Sequence, residues 1–164
     1  MSSNLIILGA QATLGIVVVL IAFSRYAKPW LDRQEFTDAV FPLLLLHCFR
    51  FLGLTFIVDH QIADTIPEDA ARLIALGDFS AALLALATVL AILTKSRAVK
   101  PLAWLFTAVG IGDLIAIGPI ALGGGFFDKG IGAMWLTVGT FAPVIVVAHG
   151  YILYRLVRPD QVAA

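Results

Sequence analysis

The chain has 164 residues, of which 60% are hydrophobic and only 13% are charged, and its formal net charge is zero. Because a soluble domain usually has about a quarter of its residues charged, this composition is typical of a membrane protein with short loops. The single cysteine excludes an internal disulfide and any site built from several cysteine ligands. The basic residues form no patch and no phosphate-binding glycine loop is present, so no nucleic acid partner is indicated.

Five apolar segments are long enough to cross a hydrocarbon layer of about 30 Å as helices. They predict an all-α fold, in which residues 1–164 form a single bundle of five transmembrane helices surrounded by the lipid bilayer. The leader MSSN carries no positive charge and no small-residue cleavage site follows, so we expect a retained first helix and no cleaved signal peptide. The predicted spans are Leu5–Phe23, Val40–Val58, Ala70–Leu93, Leu102–Leu122 and Ile131–Val157.

The basic residues are distributed unevenly between the two sides of the predicted bundle. Most follow the first, third and fifth spans, which predicts an outside N-terminus and a cytoplasmic C-terminus by the positive-inside rule. Tyr151 and Tyr154 then lie near the inner interface, where we expect them to be aromatic anchors. The residues on the inner side are Arg25, Lys28, Arg33, Lys95, Arg97, Lys100, Arg155 and Arg158, and those on the outer side are Arg72 and Lys129.

The first two spans differ in the polar groups they carry. The first has only Gln11 and Thr13, so we expect it at the periphery of the bundle. In the second, Arg50 lies near the middle, and helical spacing puts His47 and Leu54 on the same face. A guanidinium at the bilayer centre costs about 2.5 kcal/mol or more unless it faces protein or water and finds a partner. Arg50 is therefore predicted to point inward.

The later spans supply two acids and a second histidine. Asp78 lies on the third span, Asp113 near the middle of the fourth and His149 on the fifth. A triad of Arg50 with both aspartates leaves no charge isolated, and we predict that Arg50 lies within salt-bridge reach of Asp113 or Asp78. Two carboxylates and one guanidinium leave a spare negative charge, which a proton, a cationic ligand or a protonated histidine must balance.

These polar residues are expected to line one cavity between the second, third, fourth and fifth spans. Pro143 removes a backbone hydrogen bond to Gly139, which leaves a carbonyl at membrane depth. Four small residues leave space near the acids, namely Gly53, Gly77, Gly110 and Gly112. The candidate ligand-binding residues are His47, Arg50, Asp78, Asp113 and His149, and no set of metal ligands is indicated.

Short motifs in the second, third and fifth spans resemble those of a bacterial group. The string HCFRFLG that begins at His47, the Gly77-Asp78 step and the later His149-Gly150 pair are similar to small uncharacterised bacterial integral membrane proteins with an H-x-F-R-x-x-G motif and a G-D step. The resemblance covers most of the chain after the first span. It implies location in a bacterial inner (plasma) membrane and no particular activity.

Three classes of function fit this pattern. The favoured one is binding or transport of a small amphipathic or anionic ligand, or of protons, with Arg50 holding the anionic group. A membrane-embedded enzyme acting on a lipid or isoprenoid would use His47, Asp78 or Asp113 as general acid or base. A non-catalytic subunit of a larger membrane complex, or a homo-oligomer, is the third. Its haem-binding variant would use His47 and His149 as axial ligands; no cofactor is expected otherwise.

Overall fold

The structure is a computed structural model that describes residues 3–158, apart from the side chain of Phe127. Within that range the chain is helical and contains no strand. A four-residue helical turn, Phe126–Lys129, precedes the last long helix. Five helices are long and apolar enough to cross a membrane, which confirms the predicted class and number of spans. They are α1 (Ser3–Leu31), α2 (Phe36–Ile57), α3 (Glu68–Leu93), α4 (Val99–Gly123) and α5 (Met134–Val157).

The first two helices continue beyond their predicted bounds into segments that contain charged residues. α1 continues from the predicted end at Phe23 to Leu31, through one π-helical turn. Lys28 lies in this extension, and its Nζ pairs with Asp32 Oδ2 at 2.5 Å, one helical turn later. α2 begins at Phe36, four positions before the predicted start. Hydropathy marks where a segment stops being apolar, whereas a helix continues until its backbone geometry is interrupted.

Four helices form a ring, and the fifth lies outside it. α3 packs along both α2 and α4, and α5 contacts α2 and α4, while α1 packs on α5. Between Ser3 and Ala22 of α1 the one buried residue is Leu8, so the predicted peripheral position of this helix is confirmed. A Cβ at Gly15 would lie 2.9 Å from Pro143 Cγ, which shows how closely α1 approaches α5. The indole N–H of Trp135 donates to Gln11 at 2.9 Å and ties the same two helices together.

Two hydrophobic clusters stabilise the ring, one toward each end. We call the first the closed end; it lies near the α1–α2 and α3–α4 connections. The second lies near the α2–α3 and α4–α5 connections and is called the cavity end, because it adjoins the cavity described below. The closed end includes Leu31, Phe36, Val40, Leu44, Phe106 and Ile152, and the cavity end includes Phe56, Ile66, Ile74, Phe126, Ile131 and Met134.

Tyr151 is an interior residue of the closed end and not the interface anchor expected from sequence. It is 5% exposed, and its hydroxyl donates to Asp32 Oδ1 at 2.9 Å. Arg155 donates to the carbonyls of Leu31 at 2.8 Å and Gln34 at 2.9 Å. The connection between α1 and α2 therefore folds over the end of α5 and covers the tyrosine, which no local sequence signal indicates.

α2 changes its winding in the middle of its length. From Phe49 to Ile57 it is a 3₁₀-helix of nine residues, whereas most such runs extend for about three or four residues. Because side chains three positions apart are aligned in a 3₁₀-helix, Arg50, Gly53 and Phe56 all face the ring interior. The predicted α-helical stripe was wrong at Leu54, which is only partly buried.

Candidate functional site

Arg50 connects three helices at the boundary between the two ends of the ring. It lies where α2 becomes a 3₁₀-helix and is 3% exposed. Its Nε donates to Oδ1 of Asp78 on α3 at 2.7 Å, and its Nη2 donates to Oδ2 of Asp113 on α4. The predicted ion pairs of Arg50 with the two aspartates are therefore present. Such buried pairs are costly to break, since removing one partner leaves an uncompensated charge.

Each aspartate lies over a glycine of the preceding helix. The carboxylate of Asp78 lies against Gly53 of α2, and the carboxylate of Asp113 lies against Gly77 of α3. A Cβ at either glycine would overlap the carboxylate, so each position requires the absence of a side chain. The glycines thus make room for polar groups between closely packed helices, as the sequence predicted for these two positions.

The same arrangement continues between α4 and α5. A Cβ at Gly110 would lie 2.5 Å from Cε1 of His149 and 3.1 Å from Nη1 of Arg50. Gly112, which was also expected to leave space near the acids, is exposed, and a Cβ there would meet no atom within 4 Å. Gly110 and Gly112 differ because two residues of an α-helix turn the side-chain direction by more than half a turn.

The two histidines form a compact aromatic cluster with Phe106 on the closed-end side of Arg50. The ring centroids of His47 and His149 are 4.8 Å apart, with the rings nearly perpendicular. Phe106 stacks on His149 at 4.7 Å and meets His47 edge to face at 4.8 Å. Nε2 of His149 donates to the carbonyl oxygen of Thr107 at 3.3 Å. Both imidazoles are therefore enclosed by α2, α4 and α5.

Several buried polar atoms in this cluster have no hydrogen-bond partner among the described residues. Leaving one such atom unpaired costs about 1–3 kcal/mol, and native proteins contain few of them. Their concentration in one place is a local departure from the most stable packing, which is characteristic of functional sites. The atoms are Nδ1 and Nε2 of His47, Nη1 of Arg50, Oγ1 of Thr107 and Nδ1 of His149.

This cluster does not fit haem ligation by the two histidines. An iron and its macrocycle would have to lie between the imidazoles of His47 and His149, which are in direct contact. Within residues 3–158, no group of three or more His, Cys, Asp or Glu side chains is arranged to hold a metal ion.

A cavity of about 290 Å³ opens on the other side of Arg50, at the cavity end. It is lined by α2, α3, α4, α5 and the connection that precedes α5. Among the described residues, the charged groups of its lining are Arg50 and Asp78. The apolar wall includes Phe49, Phe56, Ile74, Phe126, Met134 and Phe141.

The five candidate residues form two adjoining groups. Arg50 and Asp78 line the cavity, whereas Asp113 contacts Arg50 from outside the lining. His47 and His149 lie in the sealed cluster behind the guanidinium. The guanidinium itself divides the groups, because it extends across the ring from α2 to reach acids on α3 and α4.

Pro143 does not contribute a free carbonyl to this site, contrary to the expectation from sequence. It follows a π-helical turn, Thr137–Phe141, which widens α5 where the proline removes a hydrogen bond. The carbonyl oxygen of Gly139 lies against α1, since a Cβ at Gly15 would be 3.3 Å away from it. The proline therefore shapes the α1–α5 contact.

Sequence reasoning did not select three residues that complete the site. Thr107, a polar residue in an apolar run, could have been noticed for that reason. Phe106 lies four residues before Gly110 on the same helical face, but an aromatic residue at that position is most simply interpreted as a core residue. Phe126 comes from a connection between helices, where periodicity gives no signal, and only the folded chain brings it to the cavity.

Comparison with known proteins gives one family match. A family model described as "Domain of unknown function (DUF8737)" matches residues 7–157, a range that includes all five candidate residues. No curated protein and no solved structure matches the chain.

Proposed function

We propose that this chain, which belongs to the family described as Domain of unknown function (DUF8737), binds a small amphipathic molecule within a membrane. The observation that carries the proposal is the cavity of about 290 Å³ beside Arg50, with apolar walls and one polar end. Small-molecule sites combine such walls with a few convergent polar groups that orient the ligand. Movement of the ligand or of protons across the membrane would use the same residues.

A purely structural role for the ion pairs explains less of the geometry. Buried ionic networks can exist to fix helix pairing, but a network with that role would have its polar atoms paired within the protein. Here the Asp78 side chain is 19% exposed and opens toward the cavity. The neighbouring histidine cluster carries unpartnered nitrogen atoms. These features favour a ligand site over a helix-pairing device.

The proposal includes an orientation in a bacterial inner membrane. The positive-inside rule puts the closed end, with most basic residues, in the cytoplasm and the cavity end outside. Gln34 lies in the α1–α2 connection and Gln61 in the α2–α3 connection, so they mark opposite sides. In a Cys48→Ala background, an impermeant maleimide added to intact cells should label Gln61→Cys and not Gln34→Cys. The reverse pattern would invert the proposed orientation.

A cavity-filling pair of variants tests the binding proposal. Val138 lines the cavity, whereas Leu136, on the same helix, is 69% exposed and does not line it. The wild type and Leu136→Trp should retain the same small molecule after gentle purification in maltoside detergent, as measured by mass spectrometry of an organic extract. Val138→Trp should lose it, since the indole occupies the cavity. Identical extracts from all three proteins would argue against a ligand in this cavity.

A further inference from the structure

The guanidinium of Arg50 has little capacity left for an anionic ligand. Its Nε and Nη2 already donate to Asp78 and Asp113, and the side chain is 2% exposed. The remaining nitrogen, Nη1, is buried and lies near His149 over Gly110. An anionic group entering the cavity would therefore have to displace a carboxylate before it could pair with Arg50.

The group that is most open to the cavity is a carboxylate. The Asp78 side chain is 19% exposed, compared with 9% for Asp113 and 2% for Arg50. The site holds two carboxylates for one guanidinium, and His149 lies near Nη1 of Arg50 over Gly110. A ligand with one positive charge would balance this count, whereas an anion would raise the excess to two negative charges.

The apolar wall favours the same sign of charge. Four phenylalanines line the cavity, Phe49, Phe56, Phe126 and Phe141. Phe49 and Phe141 keep exposed surface, whereas Phe56 and Phe126 are buried behind it and meet edge to face, with ring centroids 5.9 Å apart. Aromatic faces attract cations electrostatically, and sites that combine them recognise alkylammonium groups.

We infer that the polar group of the ligand is a cation, an alkylammonium or protonated amine, which pairs with Asp78 and lies among the phenylalanines. This inference rests on the proposed function, and it replaces the anionic ligand expected from the sequence. The alkyl part of the ligand occupies the apolar wall. The ammonium group belongs either to a free amphiphile or to a phospholipid headgroup, since both offer the same chemistry.

Three probes with the same hydrocarbon tail test the sign of the charge: hexyltrimethylammonium, hexanol and hexanesulfonate. Each is added to the purified protein in uncharged maltoside micelles, and the apparent Kd is obtained from the rise in Tm with probe concentration. We expect hexyltrimethylammonium to bind about tenfold more tightly than hexanesulfonate. Asp78→Asn should reduce that ratio to about one, and Val138→Trp should respond to no probe.

The outcomes separate the inference from the proposed function. Binding of hexanesulfonate at least as tight as that of hexyltrimethylammonium would overturn the cationic ligand and leave the cavity a binding site. Equal responses of the wild type and Val138→Trp to every probe would overturn the binding function itself. If Asp78→Asn does not fold, the Tm shifts of Val138→Trp are subtracted from those of the wild type. The ratio of the two Kd values then decides whether the cavity prefers the cation.

Repeating the assay in phosphatidylcholine nanodiscs distinguishes the two sources of the ammonium group. If a lipid headgroup occupies the site, choline headgroups compete and the affinity for hexyltrimethylammonium falls relative to micelles. If the natural ligand is a free amphiphile, the affinity is unchanged. Either result supports the cationic ligand, whereas a preference for hexanesulfonate in nanodiscs would contradict it.

Discussion

The two ends of the ring contain similar apolar residues but pack them differently. Phe106 at the closed end and Phe126 at the cavity end are both almost fully buried, at 0% and 1% exposure. Phe106 fills the space between two imidazoles, whereas Phe126 borders a cavity of about 290 Å³. Hydrophobic content alone therefore does not decide where a bundle is closed.

The backbone explains the difference between the two ends. Within the ring, the irregular segments lie at the cavity end: the 3₁₀ run Phe49–Ile57 in α2 and the π-helical turn Thr137–Phe141 in α5. Both segments contribute to the cavity lining. At the closed end the ring helices are α-helical and meet through alanines, which permit close approach. Changes of helical winding are a recognised way to open space at functional sites.

Removing Arg50, at the boundary of the two ends, should have the largest effect. Arg50→Leu leaves Asp78 and Asp113 buried together without a counter-charge, and we expect a loss of about 3–5 kcal/mol in the free energy of unfolding. The double variant Arg50→Leu/Asp113→Leu should recover part of it, because one carboxylate is then gone. Arg72→Leu, at an exposed ion pair, is the control and should cost about 0–1 kcal/mol. Unfolding in detergent mixtures measures all three, and a double variant no more stable than Arg50→Leu contradicts the triad.

Truncating one phenylalanine at each end tests the comparison directly. Phe106→Ala should cost about 3 kcal/mol, since it creates a new void between His47 and His149. Phe126→Ala should cost less, about 1–2 kcal/mol, because the space that the ring leaves joins the existing cavity and does not form a new sealed void. Thermal unfolding in one detergent compares them. Equal losses would mean that the cavity end is as tightly packed as the closed end.

Adding a methyl group to α4 should affect stability differently at Gly110, which faces the ring, and at Gly112, which faces outward. Gly110→Ala puts a Cβ within 2.5 Å of His149 and should destabilise the protein by about 1–3 kcal/mol. Gly112→Ala meets no atom within 4 Å and should be neutral, or stabilising by up to about 1 kcal/mol through helix propensity. Circular dichroism during thermal unfolding gives both values. Equal unfolding temperatures for the two variants would contradict the close contact between Gly110 and His149.

The smallest expected effect concerns the hydrogen bonds between the α1–α2 connection and α5 at the closed end. Partial burial raises the pKa of Asp32, but the ammonium of Lys28 and the hydroxyl of Tyr151 lower it more, so the pKa lies below its ordinary value of 3.8. Because the folded-state pKa is depressed, the stabilisation by Asp32 is complete above pH 3.8 and is lost as the pH falls through the folded pKa. Tyr151→Phe removes the hydrogen bond that the hydroxyl donates to Asp32 and the longer one that it accepts from Arg155, and should cost about 1 kcal/mol at neutral pH. Unfolding measured between pH 7 and pH 3 should show a weaker acid dependence in Tyr151→Phe than in the wild type.

Sequence alone determined the helical class, the five potential spans and the partners of Arg50. Apolar length is enough for the spans, because a helix satisfies its own backbone hydrogen bonds in lipid. The cost of an unpaired guanidinium in an apolar segment is enough to predict that Arg50 meets Asp78 and Asp113. The spans follow from the chemistry of single segments, and the ion pairs follow from the need of each charge in an apolar segment for a partner of opposite sign.

The tertiary structure decided the rest. Only the 3₁₀ winding of α2 aligns Phe56 with Arg50, because six residues of an α-helix would turn the side chain to a different face. Only the arrangement of the ring separates the histidines from the cavity and commits the nitrogens of Arg50 to the acids. The sign of charge that the cavity favours depends on these distances. Sequence order cannot supply them, because residues far apart along the chain meet only after the helices pack.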